Sequence, residues 1–379
     1  MAGRFSSARL ECVALILLLA GQPSCLLQRA AVPARPIALD EFARLMADLS
    51  EPEGRFDSDN FVSNEAGYLQ AVTALRSRRL LGGAYLGVGP DQNYSYIAEM
   101  RPELAFIVDI RRQNLLQHLY FKALFALSRN RLEFLERLFA REAAAAPDHP
   151  EDLRIGALLD LFDGAVFDAE RARLRLEEAE ALLRSWKLGL DDGDFAVIRY
   201  IASAFAAQGS DLRFSNRRRP PRPRYPTYRS LLEATDAEGA QSGYLAEESR
   251  FRTVKELHAR NRIVPVVGDL AGPEALRKIG DELRRRGAEV RVFYVSNVEF
   301  YLFRQGRWDA FIQNLRSLPM AADAHIIRSY SNTWRPHPAA RPGDLLTTLV
   351  QSVSALLANE DAGHNLTYWE MVTRNYIPR

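Results

Sequence analysis

Between Tyr85 and Arg111 the chain carries a pattern that few folds accommodate: a short apolar run, two glycines one residue apart, a helical stretch, and a second apolar run that stops at an acid. Tyr85-Leu86-Gly87-Val88-Gly89-Pro90-Asp91-Gln92-Asn93 reads as a strand turning into a helix, and Leu104 to Val108 as the next strand, closed by Asp109. Glycines at such a turn let a ligand approach the backbone and aim free amides at it. Asp109 follows Gly89 by twenty residues, the separation at which an acid after the second strand accepts both hydroxyls of a ribose. The same residues also suit a tight turn with a solvated acid. Gln92 fills the third glycine position of a dinucleotide fingerprint, which disfavours nicotinamide and suits a mononucleoside cofactor.

Strand and helix signals alternate again near the other end of the chain. Ile263 to Val267 and Val290 to Val295 read as strands, separated by a helix from Pro273 to Arg286 that Gly287 closes. Trp308 to Leu318 reads as a helix, His325 to Tyr330 as a strand and Leu345 to Leu357 as a helix. Alternation of this kind predicts a Rossmann-like, doubly wound α/β sheet. Ile37 to Ser50 and Tyr68 to Arg78 have helical spacing ahead of the first strand at Ala84 to Gly87. Between the second and third strands, residues 114–260 read as a mainly helical insertion: Asn114 to Arg141, Glu151 to Arg184 and Phe195 to Ala207. The Arg/Pro-rich run within 217–226 is excluded from helix interiors and central strands by its prolines. It reads as a solvated connector.

Residues 1–34 read as a leader, with Arg4 and Arg9 before the nine-residue apolar run Cys12 to Ala20, too short to span a bilayer. Cys25 follows a small residue, as in lipoprotein signals, while Gln22 departs from that pattern. A genuine leader implies export to the periplasm or a lipid anchor; a wrongly chosen start implies the cytoplasm. Residues 35–379 then form a single domain. Both cysteines fall in the leader, so disulfides, thiolate metal sites and a cysteine nucleophile are excluded from the body. The six histidines lack metal-ligand spacing, and 50 basic against 48 acidic residues give no field that attracts nucleic acid.

Polar groups recur where strands end. Gly268-Asp269 closes the third strand, where the carboxylate can accept an adenine amino proton or cap the helix that begins at Pro273. Asn297 and Glu299 follow the fourth strand and share one face if that strand persists; the alternative is a hydrogen-bonded loop closing the sheet.

The motif order Gly87-x-Gly89, Asp109, Gly268-Asp269 and the strand before Asn297 resembles that of class I S-adenosylmethionine-dependent methyltransferases. Asn297-Val298-Glu299-Phe300-Tyr301 is similar to the Asn-Val-x-x-Tyr segment of chemotaxis-receptor methyltransferases. Phe61-Val62-Ser63-Asn64-Glu65, the glycine turn and Tyr294 to Leu302 together resemble a family of uncharacterised bacterial proteins. The resemblance implies S-adenosylmethionine as cofactor, with Gly87 and Gly89 on the methionine part, Asp109 on the ribose and Asp269 on the adenine. Asn64, Asn93, Arg111 and Gly268 complete the cofactor side, and Gln113 borders it. Glu65, Asn297, Glu299 and Tyr301 are the catalytic candidates, with Glu65 or Glu299 as base. The chain departs from the family in having Tyr85 or Leu86 where an acid often precedes the first glycine, and in lacking an Asn-Pro-Pro-Tyr motif. The expected activity is methyl transfer to an unidentified acceptor. Its rival is an exported, non-enzymatic binding or interaction protein, a lipoprotein if Cys25 is acylated, because the cofactor is made in the cytoplasm. A nicotinamide oxidoreductase is weakened by Gln92 and by the absence of a Tyr-x-x-x-Lys pair.

Overall fold

The computed structural model describes Met1 and residues 35–144, 147–216 and 224–378. The leader after Met1, residues 217–223 of the connector and Ala145-Ala146 of the alanine run lie outside the described residues. From Arg35 onward the chain forms one unit, and no helix of the described residues is long and apolar enough to cross a membrane.

Helices α1 (Leu39–Leu49) and α2 (Gln70–Ser77) precede β1 (Ala84–Gly87), α3 (Asn93–Met100) and β2 (Leu104–Asp109). The opening motif therefore folds as its sequence implies. Seven α-helices follow among the described residues: α4 (Arg112–Leu127), α5 (Arg131–Phe139), α6 (Ile155–Asp160), α7 (Ala169–Ser185), α8 (Asp192–Gln208), α9 (Tyr228–Leu232) and α10 (Glu248–Ala259). Then come β3 (Ile263–Val267), α11 (Ala275–Arg286), β4 (Val290–Ser296), α12 (Val298–Arg304), α13 (Trp308–Ser317), β5 (Met320–Ser331), β6 (Leu346–Ser352), α14 (Val353–Asp361) and α15 (Tyr368–Thr373). The six strands form one sheet in the order β3-β2-β1-β4-β5-β6, parallel except for β6. This mixed α/β sheet flanked by helices is compatible with a Rossmann-like arrangement.

Every residue of β1, β2 and β3 is buried, as expected of parallel strands covered on both faces. Pro265 sits inside β3, which is tolerated because β3 is an edge strand. Two residues on, Val267 donates its N–H to Ser50 Oγ and accepts from Glu51 N, so the chain after α1 covers this edge. At the opposite edge, Ile377 N donates to Val350 O of β6.

Three stretches differ from their sequence expectation. Asn114 to Arg141 is two helices, because Asn130 leaves the helix and caps α5 by accepting from Glu133 N. Glu151 to Arg184 breaks between α6 and α7, where Gly164 is left-handed (φ +76°) and Asp168 caps α7. Leu345 to Leu357 is not one helix. Its first half is β6, antiparallel to β5, and Ser352 caps the helix that follows. Leu345, Leu346, Leu349, Val350 and Val353 have helical spacing. Thr347, Thr348 and Val350 are β-branched, however, and both faces of the strand are covered, so alternation gives no signal.

Candidate functional site

β1 lies between β2 and β4, so chain connections leave its carboxyl end in opposite directions and open a crevice there, the place where open α/β sheets bind ligands. A cleft of about 190 Å³ occupies this position. The ends of β1 to β4, the loop 55–65 and one face of α12 line it.

The glycine turn is shaped from behind. A Cβ on Gly87 would lie 1.9 Å from Asn93 Oδ1, so glycine here makes room for the asparagine. Asn93 accepts from Tyr85 Oη (2.7 Å) and donates to the carbonyls of Val88, Gly89 and Pro90. Gly87 and Asn93 therefore build the turn and do not line the cleft, contrary to their expected cofactor contacts. Gly89 does line it, in a left-handed conformation (φ +82°). Its carbonyl accepts from His118 Nε2 (2.9 Å) while Tyr94 Oη meets His118 Nδ1 (2.7 Å). Burial holds His118 down to about 4, so the ring is neutral, with Nε2 carrying the proton. Gln92 sits on the cleft side, donates to Tyr294 Oη (3.2 Å), and leaves its buried Oε1 without a partner.

At the end of β2, Asp109 lines the cleft but is not free. Arg111 grips it with N (3.0 Å) and Nε (2.9 Å) on Oδ1 and Nη2 (2.8 Å) on Oδ2. The remaining Arg111 nitrogen donates to the carbonyls of Ser58 and Asp59, so the pair anchors the 55–65 loop over the sheet. A carboxylate offers about four lone-pair positions, and three are taken. Asp109 can accept one ribose hydroxyl, not the two that the spacing suggests. Gln113 donates to Asp59 Oδ1 (3.3 Å) and lies outside the cleft wall.

After β3, Gly268 and Asp269 both line the cleft. A Cβ on Gly268 would come within 2.5 Å of Ala275 Cβ, so glycine there lets α11 approach the strand. Asp269 does not cap α11. Glu51 does, accepting from Glu274 N (2.7 Å) and Ala275 N (2.6 Å). Asp269 instead accepts from Ala271 N (2.9 Å) and pairs with Arg307 Nη1 (2.5 Å). It keeps two lone-pair positions.

β4 ends at Ser296, a non-glycine residue in the left-handed region (φ +53°), and α12 begins two residues later. The strand therefore does not persist, and helical geometry separates the two polar residues. Asn297 and Tyr301, four apart, both line the cleft. Glu299 points into the interior, 0% exposed, with Oε2 2.7 Å from Arg328 Nε. The expected catalytic role for Glu299 does not fit this position.

The 55–65 loop closes the remaining side. Phe56 packs edge-on against Tyr301 with ring centroids 5.7 Å apart, at the mouth. Asn64 and Glu65 both line the cleft. Glu65 is only 1% exposed and accepts from the hydroxyls of Ser296 and Ser329. Burial raises its pKa; hydrogen bonds from Ser296, Ser329 and Tyr294 offset part of that rise.

The cleft thus gathers Asn64, Glu65, Gly89, Asp109, Arg111, Gly268, Asp269, Asn297 and Tyr301, and leaves out Gly87, Asn93 and Glu299. Sequence reading missed Phe56, Asn60 and Arg307 as wall residues and gave Gln92 only a negative role. Nothing local to Arg307 signals its partnership with Asp269, which lies 38 positions away.

The profile of a family described as "Domain of unknown function (DUF7790)" matches residues 60–149 and 158–375. The chain belongs to this family. No curated protein matches it. The DUF7790 match takes in the cleft residues from Asn60 through Arg307, and Arg55 and Phe56 of the loop lie ahead of it.

Proposed function

We propose that this protein is a methyltransferase that uses S-adenosylmethionine, built on a Rossmann-like doubly wound sheet with a helical insertion over residues 114–260. One observation carries the reading: Asp109 and Asp269, at the ends of adjacent strands, face the same cleft as the left-handed Gly89. The lone pairs that Arg111 and Arg307 leave open suit a ribose hydroxyl at Asp109 and an adenine amino group at Asp269. The unpartnered Oε1 of Gln92, a residue of the cleft wall, supports the reading by leaving an acceptor without a protein donor. Bound there, S-adenosylmethionine supplies a methyl carbon made electrophilic by its sulfonium.

The chain's own part is to bind, orient and exclude water. Arg111 and Arg307 fix both carboxylates before a ligand enters, so neither must reorganise. Phe56 and Tyr301 narrow the mouth. Glu65 is the base, because its carboxylate faces the cleft and its raised pKa favours taking a proton.

Calorimetric titration of the full chain with S-adenosylmethionine and S-adenosylhomocysteine tests the proposal. Asp109→Ala is expected to weaken binding by about 1–2 kcal/mol, for one charge-assisted hydrogen bond and a released Arg111. No heat at millimolar ligand removes the methyltransferase reading.

A second reading is a binding module without chemistry, exported by the 1–34 leader. It is favoured by the engagement of Asp109 with three Arg111 donors in the free protein. Cell fractionation of the tagged full-length chain separates the compartments: export supports this reading, and retention with the soluble cytoplasmic proteins removes it.

A further inference from the structure

Along the sheet edge the cleft has two chemically different ends. Asp269 and Asp109, at β3 and β2, are each held by an arginine. Beyond Gly89, at β4, stands Glu65, and no cation lies against it among the described residues. The hydroxyls of Ser296 and Ser329 occupy its two oxygens, and Tyr294 also donates to it. All three are neutral, so the ionised form of Glu65 is left without a compensating charge, a costly arrangement for a buried carboxylate.

Gln92 reports the same deficit. Tyr294 spends its proton on Glu65, so its oxygen accepts from Gln92 Nε2 (3.2 Å). That fixes the amide with Oε1 as the free atom. Gln92 is 6% exposed, lines the cleft, and Oε1 has no donor. This end of the cleft therefore lacks a positive charge and N–H donors. A hydroxyl brings one donor and no charge, and a carboxylate or phosphate adds repulsion. A protonated primary amine brings both the charge and three donors.

We propose that the β4 end of the cleft binds the protonated primary amine of the methyl acceptor, with Glu65 and Gln92 Oε1 as its hydrogen-bond acceptors. Naming the amine the acceptor rests on the methyltransferase reading; the amine site itself rests on Glu65 and Gln92. The ammonium gives one proton to Glu65, which frees the nitrogen lone pair. That pair forms the N–C bond to the methyl while the C–S bond breaks and its electrons return to sulfur. The products are a secondary ammonium, a thioether and protonated Glu65, so charge and atoms balance.

The test measures binding to the full-length protein at neutral pH with three probes of one size: n-butylammonium, n-butanol and butyrate. Butylammonium is expected to bind at least tenfold more tightly than butanol, and butyrate more weakly still. Glu65→Gln should lower butylammonium affinity at least tenfold while S-adenosylhomocysteine affinity stays within threefold. Asp109→Ala should do the reverse. If Glu65→Gln does not fold, Gln92→Met, near in size and without the acceptor oxygen, carries the test with an expected loss of at least threefold. Equal binding of butanol and butylammonium overturns the amine site, as does butylammonium binding indifferent to both substitutions. S-adenosylhomocysteine binding without amine preference leaves the methyltransferase reading standing alone. Glu65-dependent amine binding in a protein that takes no S-adenosylhomocysteine retains the site and removes its role as acceptor.

Discussion

Buried ionisable groups occur in two settings in this molecule, the closed interior and the cleft wall, and they are treated differently. In the interior Glu299, Lys122 and Asp91 are each engaged by protein groups. Glu299 meets Arg328, which also donates to Gln351 (2.5 Å). Lys122 donates to Asn261 Oδ1 (2.6 Å) and to the His258 carbonyl, with the Phe42 and Trp186 rings each 5.1 Å from its ammonium. Asp91 accepts from Tyr228 Oη (2.7 Å) and Tyr244 Oη (2.9 Å). At the cleft wall, Glu65 has hydroxyls but no cation, and Gln92 keeps a bare oxygen. Burial alone therefore does not mark a site. A buried polar group without a protein partner, on a residue that lines a cleft, is the stronger mark.

The sharpest way to break this comparison is to neutralise one carboxylate from each setting with an isosteric amide. Glu299→Gln strands the Arg328 charge in the interior and is expected to cost about 3–5 kcal/mol in denaturant unfolding. A loss under about 1 kcal/mol would show the pair to be dispensable and the contrast empty.

Asp91 gives the next largest effect, and pH is the variable. Burial lifts it from 3.8 to about 6, against the pull of the two tyrosines. A raised folded pKa means that its contribution is fully present below pH 3.8 and is lost as pH rises through 6. Relative to Asp91→Asn, the wild-type chain should therefore lose roughly 3 kcal/mol between pH 3 and pH 7. A flat difference across that window would mean that Asp91 is solvated.

The two glycines of the turn divide the same way. Gly87→Ala drives a methyl into Asn93 Oδ1 and should cost about 2–3 kcal/mol of stability, read by thermal unfolding. Gly89→Ala meets the left-handed penalty, about 1–2 kcal/mol, and sets its methyl 3.3 Å from Gln92 Nε2, so it should also weaken ligand binding because it alters the cleft wall. Equal stability losses with equal binding would erase the distinction between the back and the front of the turn. The smallest effect belongs to Glu65→Gln. No cation is stranded, so stability should stay within about 1 kcal/mol of wild type. A loss as large as that of Glu299→Gln would reveal a structural partner for Glu65 and remove it from the cleft's free acceptors.

Much of the site is legible in the sequence, because its framework is local. Apolar runs closed by Gly87, Asp109 and Gly268-Asp269 mark strand ends, and parallel strands bring those ends to one edge. Glu65 was legible only as part of a family-like motif. The engagement of Asp109 by Arg111 lay two residues away and was still not read, since spacing does not say whether a side chain turns back. The reversed strand β6 was hidden because its two covered faces give the same apolar density as a helix.

Short-range pattern and backbone freedom suffice to set the glycine turn, five of the six strands and the residues at the sheet's carboxyl edge. The tertiary structure alone decided which of those residues are still available to a ligand. Starting α12 at Val298 swings Glu299 into the interior and keeps Asn297 and Tyr301 at the cleft, a consequence of helical period. Packing the 55–65 loop over β4 brings Glu65 to Ser296 and Ser329, 231 and 264 positions away, and supplies no cation. Availability is a matter of what else lies within hydrogen-bonding reach, and only the folded chain fixes that.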